Sequence, residues 1–162
     1  MKSTNRRLMF HGMVLFLLGL FTGFAEQQFA NVRMGLAAHL EGVMNGTFLL
    51  ALGAAWSGIR LSQRAEWIAF WTVLYGTYVN WVVTTLAAVF GTTALSPITG
   101  GKGGKPWQES LINTGFMTVG IAIVAASIML IWGFRAKARQ SETASTESDN
   151  LVSTQAAGSK RV

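Results

Sequence analysis

The chain has no cysteine, and in 162 residues it has only seven acidic side chains and two histidines. Without cysteine it can form neither a disulfide nor a thiolate metal site. Charged residues make up 12% of the chain and hydrophobic residues 51%. Polar helix faces, which a soluble all-α protein needs, are almost missing. So are internal repeats and the matched, interrupted apolar segments that mark many transporters.

Long apolar runs fill most of the length. They lie near Leu8–Ala25, Met34–Ile59, Ala65–Phe90 and Leu111–Phe134. Each reaches the roughly 20 residues a helix needs to cross a bilayer. The predicted fold is all-α, an oligomeric four-helix transmembrane bundle occupying residues 1–139. The net charge of +6 does not point to nucleic acid, because the basic residues sit at span ends. Lys2, Arg6 and Arg7 precede the first span, Arg60 and Arg64 follow the second, and Arg135, Lys137 and Arg139 follow the fourth. The positive-inside rule then puts both termini in the cytoplasm of a multi-pass protein, here assigned to a cell inner membrane. The first run begins with basic residues, as a secretory signal does, but it exceeds the usual apolar core of about 7–15 residues and is read as an uncleaved span.

Two connections, Glu26 to Arg33 and Arg60 to Arg64, are short and predict antiparallel neighbours. The third, Gly91 to Ser110, is long and rich in Gly, Ser, Thr and Pro. It predicts a mobile extracytoplasmic loop, either a lid or a plain linker. Residues 140–162 are polar and small, cannot bury enough apolar surface to order themselves, and predict a disordered tail. Gly12, Gly19, Gly23, Gly42, Gly46 and Gly53 allow close helix contacts. In so thin a bundle some contacts are expected between subunits, which predicts a homo-oligomer.

The stretch HLEGVMNG, His39 to Gly46, interrupts the second apolar run. Ionisable groups within hydrocarbon are costly and usually face a partner, a cavity or a cofactor. Successive helical side chains are about 100° apart, so Glu41 and Asn45 share a face while His39 points almost the opposite way. A site that uses both faces therefore lies between subunits, with His39 from one and Asn45 from its neighbour. In the third span Thr77, Asn80 and Thr84 form a polar stripe, and Trp67, Trp71, Tyr75 and Tyr78 an aromatic one. Asn45 and Asn80 fall at similar depth and can meet, as a site or as hydrogen-bonding glue. His11 differs from His39 in depth by on the order of 20 Å, so the two cannot share one metal in a monomer. Hydrogen bonding is the role expected of His11. His39 has too few companions for a zinc site, whereas a haem needs only one or two axial ligands and an apolar slot, for which Met34, Met44 and nearby aromatics are available. A structural histidine is the alternative.

RRLMFHG in the first span, HLEGVMNG in the second and YVNW in the third resemble hydroxylaminobenzene mutase and, more distantly, the membrane-bound styrene oxide isomerase. The resemblance covers most of residues 6–135. It implies a four-span oligomeric membrane enzyme, a trimer by preference, acting in nitroaromatic degradation. The reaction it implies is the isomerisation of hydroxylaminobenzene to 2-aminophenol, an intramolecular hydroxyl transfer without net redox change. In the isomerase a ferric haem b lies between subunits, and its axial histidine precedes an asparagine by six residues. His39 and Asn45 match that pair, and Asn80 matches the asparagine of the third span. The resemblance thus implies His39 as the axial iron ligand and Asn45, Asn80 and Glu41 as catalytic residues. Where the isomerase has a tyrosine one turn beyond Asn80, this chain has Thr84, which favours the mutase over an epoxide isomerase. A non-enzymatic haem-binding or transport subunit is the competing class.

Overall fold

In the computed structural model the backbone is described for residues 2–159 and the side chains for residues 4–135. The chain forms four helices, α1 (Lys2–Ala25), α2 (Val32–Ala55), α3 (Gln63–Phe90) and α4 (Pro106–Ser159), with short 3₁₀ turns at Glu26–Gln28, Trp56–Gly58 and Pro97–Thr99. No strand occurs among the described residues. The segment 140–162, expected as a disordered tail, continues α4 in its backbone as far as Ser159, and its side chains lie outside those described.

The helix boundaries have local causes. Asn31 caps α2, its side chain accepting from the Met34 N–H at 3.1 Å, and Ser62 caps α3 by accepting from Ala65 N–H. Gly91 ends α3 in the left-handed conformation at φ +69°, which glycine adopts without steric cost. Pro106 opens α4 several residues before the predicted span, at a position where its missing N–H costs nothing.

Three helical stretches, Thr4–Gln28, Gln63–Phe90 and Pro106–Arg135, are long and apolar enough to cross a membrane. At 24 residues α2 is long enough, but His39, Glu41 and Asn45 lower its mean hydropathy. α2 is the helix that carries the polar cluster.

α2 packs against both α1 and α3, and α4 packs on α3. The α1–α2 contact is backbone on backbone. A Cβ on Gly46 would lie 2.5 Å from the Phe16 nitrogen, and one on Gly12 would lie 2.8 Å from the Gly46 carbonyl oxygen. Gly19 meets Gly42 in the same way. Glycine removes the side chain that would hold the axes apart, so dispersion contacts form along the whole line.

The buried residues form two clusters. Leu8, Leu15, Leu49, Trp56, Phe70 and Val73 belong to one, which extends to Ala126 and Leu130 of α4. Met34, Val83, Ala87, Ala88 and Ile112 form the other, at the opposite end. Between these clusters lie the polar side chains of α2 and α3.

Candidate functional site

His39 and Glu41 leave α2 on different sides, as the helical period predicts. His39 turns toward α1, where its Nδ1 lies 2.8 Å from the Gly19 carbonyl oxygen. A carbonyl only accepts, so Nδ1 carries the hydrogen and a neutral ring keeps a lone pair on Nε2. Gly23 makes the room for this, since a Cβ there would stand 2.6 Å from His39 Nδ1. Leu36 and Leu40, three residues before and one after His39 on α2, are each close to half exposed.

Glu41 and Asn45 face α3. The Asn45 amide donates to Glu41 Oε2 at 3.1 Å and approaches the Thr77 carbonyl at 3.5 Å. The Asn80 amide donates to the same carboxylate oxygen. Asn45 and Asn80 do meet, and Glu41 is what joins them. A carboxylate accepting two amide N–H groups also fixes how both amides are turned, because the NH₂ of each must face Glu41. Neither amide oxygen, Asn45 Oδ1 or Asn80 Oδ1, is among the buried polar atoms left without a partner.

The rest of the polar stripe on α3 turns inward. Thr77 is buried, and its hydroxyl donates to the Val73 carbonyl at 2.9 Å. Thr84 is buried too, and its hydroxyl donates to the Asn80 carbonyl at 2.8 Å. Of the stripe, only Asn80 reaches across to α2. Met34, assigned from the sequence to a cofactor slot, is instead packed in the core with Val83 and Ala87. Met44 is exposed.

His11 lies at a depth close to that of Asn45, since Gly12 packs against Gly46, and it bonds Tyr78, two residues before Asn80. Its Nδ1 lies 3.2 Å from the Tyr78 hydroxyl, which donates in turn to the His11 carbonyl at 3.2 Å. The expected hydrogen-bonding role therefore has a specific partner. Two links escaped the sequence reading, the Gly19 carbonyl under His39 and the bond from the Trp81 indole to Thr22 Oγ1 at 3.0 Å. The four-residue spacing of Gly19 and Gly23 was the available signal for the first, since it marks a strip of α1 open to a neighbouring side chain.

Residues 4–135 match the styrene oxide isomerase family. The chain belongs to that family. It is 44% identical over 132 residues to the hydroxylaminobenzene mutase HabB of Ectopseudomonas oleovorans, covering 80% of each chain. It is 40% identical over 124 residues to the mutase HabA of the same organism, covering 75% of this chain and 92% of the relative. No solved structure matches. This member of the styrene oxide isomerase family is thus an enzyme of the mutase and isomerase type. The family match ends at Arg135, so the whole polar cluster lies inside it and the polar tail outside. At Thr84 the hydroxyl hydrogen is given to the backbone of its own helix, so this side chain has no donor left to offer.

Proposed function

We propose that the protein rearranges hydroxylaminobenzene to 2-aminophenol in a membrane-embedded site formed by His39, Glu41, Asn45 and Asn80. The observation that carries this reading is the convergence of the Asn45 and Asn80 amides on one oxygen of Glu41 within a span. The reaction named for the mutase relatives supports the choice of substrate. His39 and Glu41 face opposite sides of α2, so the site joins His39 of one subunit to the asparagines of another in a homo-oligomer, by preference a trimer. Four spans, with both termini in the cytoplasm of a cell inner membrane, complete the reading.

The residues around His39 fit a haem b. An imidazole whose Nδ1–H is held by a backbone carbonyl is the usual orientation of a metal-ligating histidine. Gly23 leaves the room that the ring itself occupies on its Nδ1 side, and the half-exposed Leu36 and Leu40 keep the outer stripe of α2 apolar. His39 would hold the iron through Nε2. A bound ferric haem would supply a Lewis-acidic face for the hydroxylamino group.

The N–O bond breaks heterolytically, positive charge spreads into the ring, and the oxygen returns at the ortho carbon. The ortho C–H gives up its proton and nitrogen gains one, so the atoms balance as an isomerisation. Asn45 Oδ1 and Asn80 Oδ1 present the negative ends of fixed dipoles to that charge and orient the substrate. Glu41 Oε1, which the two amides leave free, carries the proton from ring carbon to nitrogen. The surrounding hydrocarbon admits a small aromatic substrate and keeps bulk water from the cationic intermediate.

Two measurements test the reading. Purified protein incubated with hydroxylaminobenzene and no reductant is expected to yield 2-aminophenol, and failure to form it overturns the activity. A Soret band is expected from the wild type and not from His39→Ala. A wild type without that band overturns the haem assignment and leaves the mutase reading to stand on the product.

A further inference from the structure

At the end of the bundle where α1 and α3 begin, two adjoining cavities share Gln63 and Trp67. The first, about 170 Å³, is lined by Thr4, Arg7, Gln63, Glu66, Phe70 and Trp71 as well as Trp67. The second, about 450 Å³, is bounded by Arg64 and Ile68 besides the shared pair. This end of the bundle is rich in basic residues, and Arg64 borders the second cavity, but the first cleft itself holds one positive and one negative side chain, Arg7 and Glu66, and neither is spent on the other. The Arg7 guanidinium lies 4.9 Å from the Phe70 ring centroid, and Glu66 Oε1 accepts the Trp56 indole N–H at 2.9 Å. Glu66 Oε2 is left to a further donor. Trp67 is 65% exposed and Trp71 46%, at the depth where tryptophan marks the membrane–water boundary.

We propose that Arg7 and Glu66 bind the headgroup of an ethanolamine phospholipid in this cleft, with its acyl chains running along α3 past the exposed Trp71. The charge pattern selects the ligand. A purely anionic headgroup satisfies Arg7 and is repelled by Glu66. A zwitterionic headgroup matches both, its phosphate on the guanidinium and its ammonium on the carboxylate. Choline phospholipids have the same charges, but their trimethylammonium has no N–H to give to Glu66. Thr4 and Gln63 add hydrogen-bonding groups at the mouth, and Trp67 stands between this cleft and the cavity bordered by Arg64. The site is independent of the mutase reading, since its residues take no part in the polar cluster of α2 and α3.

Native mass spectrometry of the intact protein, released from nanodiscs holding equal parts of ethanolamine, choline and glycerol phospholipids, tests the proposal. One ethanolamine lipid per chain is expected to survive activation that strips the others. Glu66→Gln keeps an oxygen for the Trp56 indole but loses the charge, and is expected to reduce the preference over choline lipid roughly tenfold. Arg7→Gln is expected to lower retention of all phospholipids, and Arg33→Gln, at the other end of the bundle, to change nothing. Circular dichroism of each variant separates lost binding from lost fold. Equal retention of the three lipids, a preference for the glycerol lipid, or an unchanged preference in folded Glu66→Gln overturns the proposal.

Discussion

Asn80 of α3 and Glu41 of α2 are hydrogen-bonded across the helix interface, and the carboxylate oxygen they share also holds Asn45. One acidic side chain thereby sets the orientation of two amides on two helices. Glu41→Gln keeps the size and one oxygen but removes the charge that strengthens both bonds. Its own NH₂ would also compete for positions facing other NH₂ groups. The expected outcome is at least a tenfold loss of aminophenol formation with a loss of stability of about 1 kcal/mol, since polar contacts between spans are weaker than in a soluble core. Steady-state turnover in detergent, beside a denaturant titration, reads both. Unchanged turnover would remove Glu41 from the site.

His39 depends on a residue that has no side chain. Gly23→Ala places a Cβ 2.6 Å from His39 Nδ1 and forces the ring off the Gly19 carbonyl. Under the haem proposal this variant should show a weakened or shifted Soret band while its helix content stays intact. Losing the partner that orients a metal-ligating histidine costs about 10–100-fold in affinity. An absorption spectrum during haem titration checks it, and wild-type affinity would detach Gly23 from the site.

The sequence made some of these relationships legible and hid others for physical reasons. The opposed directions of His39 and Glu41 follow from 100° per residue alone, so they could be read before any tertiary contact was known. The shared depth of Asn45 and Asn80 likewise needed only the rise per residue and an antiparallel hairpin. That Glu41 would be the junction could not be read, because its rotamer depends on how closely α3 approaches. The Gly19 carbonyl was invisible for another reason: every residue carries a carbonyl, and only the gap left by Gly23 exposes this one. The connection Gly91 to Ser110 read as mobile from its Gly, Ser, Thr and Pro, yet within it Thr99 Oγ1 accepts from Asn31 Nδ2 and the Gly103 N–H donates to the Gly91 carbonyl. These bonds join residues distant in sequence, which composition does not report.

Glycines in the same fold should respond oppositely to alanine. In Gly46→Ala the new methyl meets the Phe16 nitrogen at 2.5 Å and the Gly12 carbonyl at 2.8 Å, so α1 and α2 must separate. Overpacking of this kind costs about 1–3 kcal/mol. At Gly120 of α4 a Cβ meets nothing within 4 Å, and the higher helix propensity of alanine should leave stability unchanged or raise it by up to about 1 kcal/mol. Unfolding of both variants by sodium dodecyl sulfate in mixed micelles compares them directly. Equal destabilisation would contradict the glycine-mediated contact of α1 with α2.

Glu109, in the first turn of α4, accepts the Thr93 and Gly104 N–H groups on Oε1 at 3.0 and 2.8 Å and the Ala94 N–H on Oε2 at 3.1 Å. Its carboxylate therefore closes the connection between α3 and α4 onto the start of α4. Glu109→Gln keeps one acceptor oxygen and replaces the other with a donor, which faces the N–H groups it should receive. Water competes for these bonds at this solvent-facing end, so each contributes less than a shielded bond to a charged acceptor would. The expected result is faster amide hydrogen exchange at Thr93, Ala94 and Gly104, with exchange in α2 and α3 unaltered. Because Asn31 Nδ2 donates to Thr99 Oγ1, the Pro97–Thr99 turn should keep its place over the α2 cap when the Glu109 side loosens. Exchange that rises equally across the whole connection and the α2 cap would show that the segment is held as one unit, with no separate anchor at Asn31.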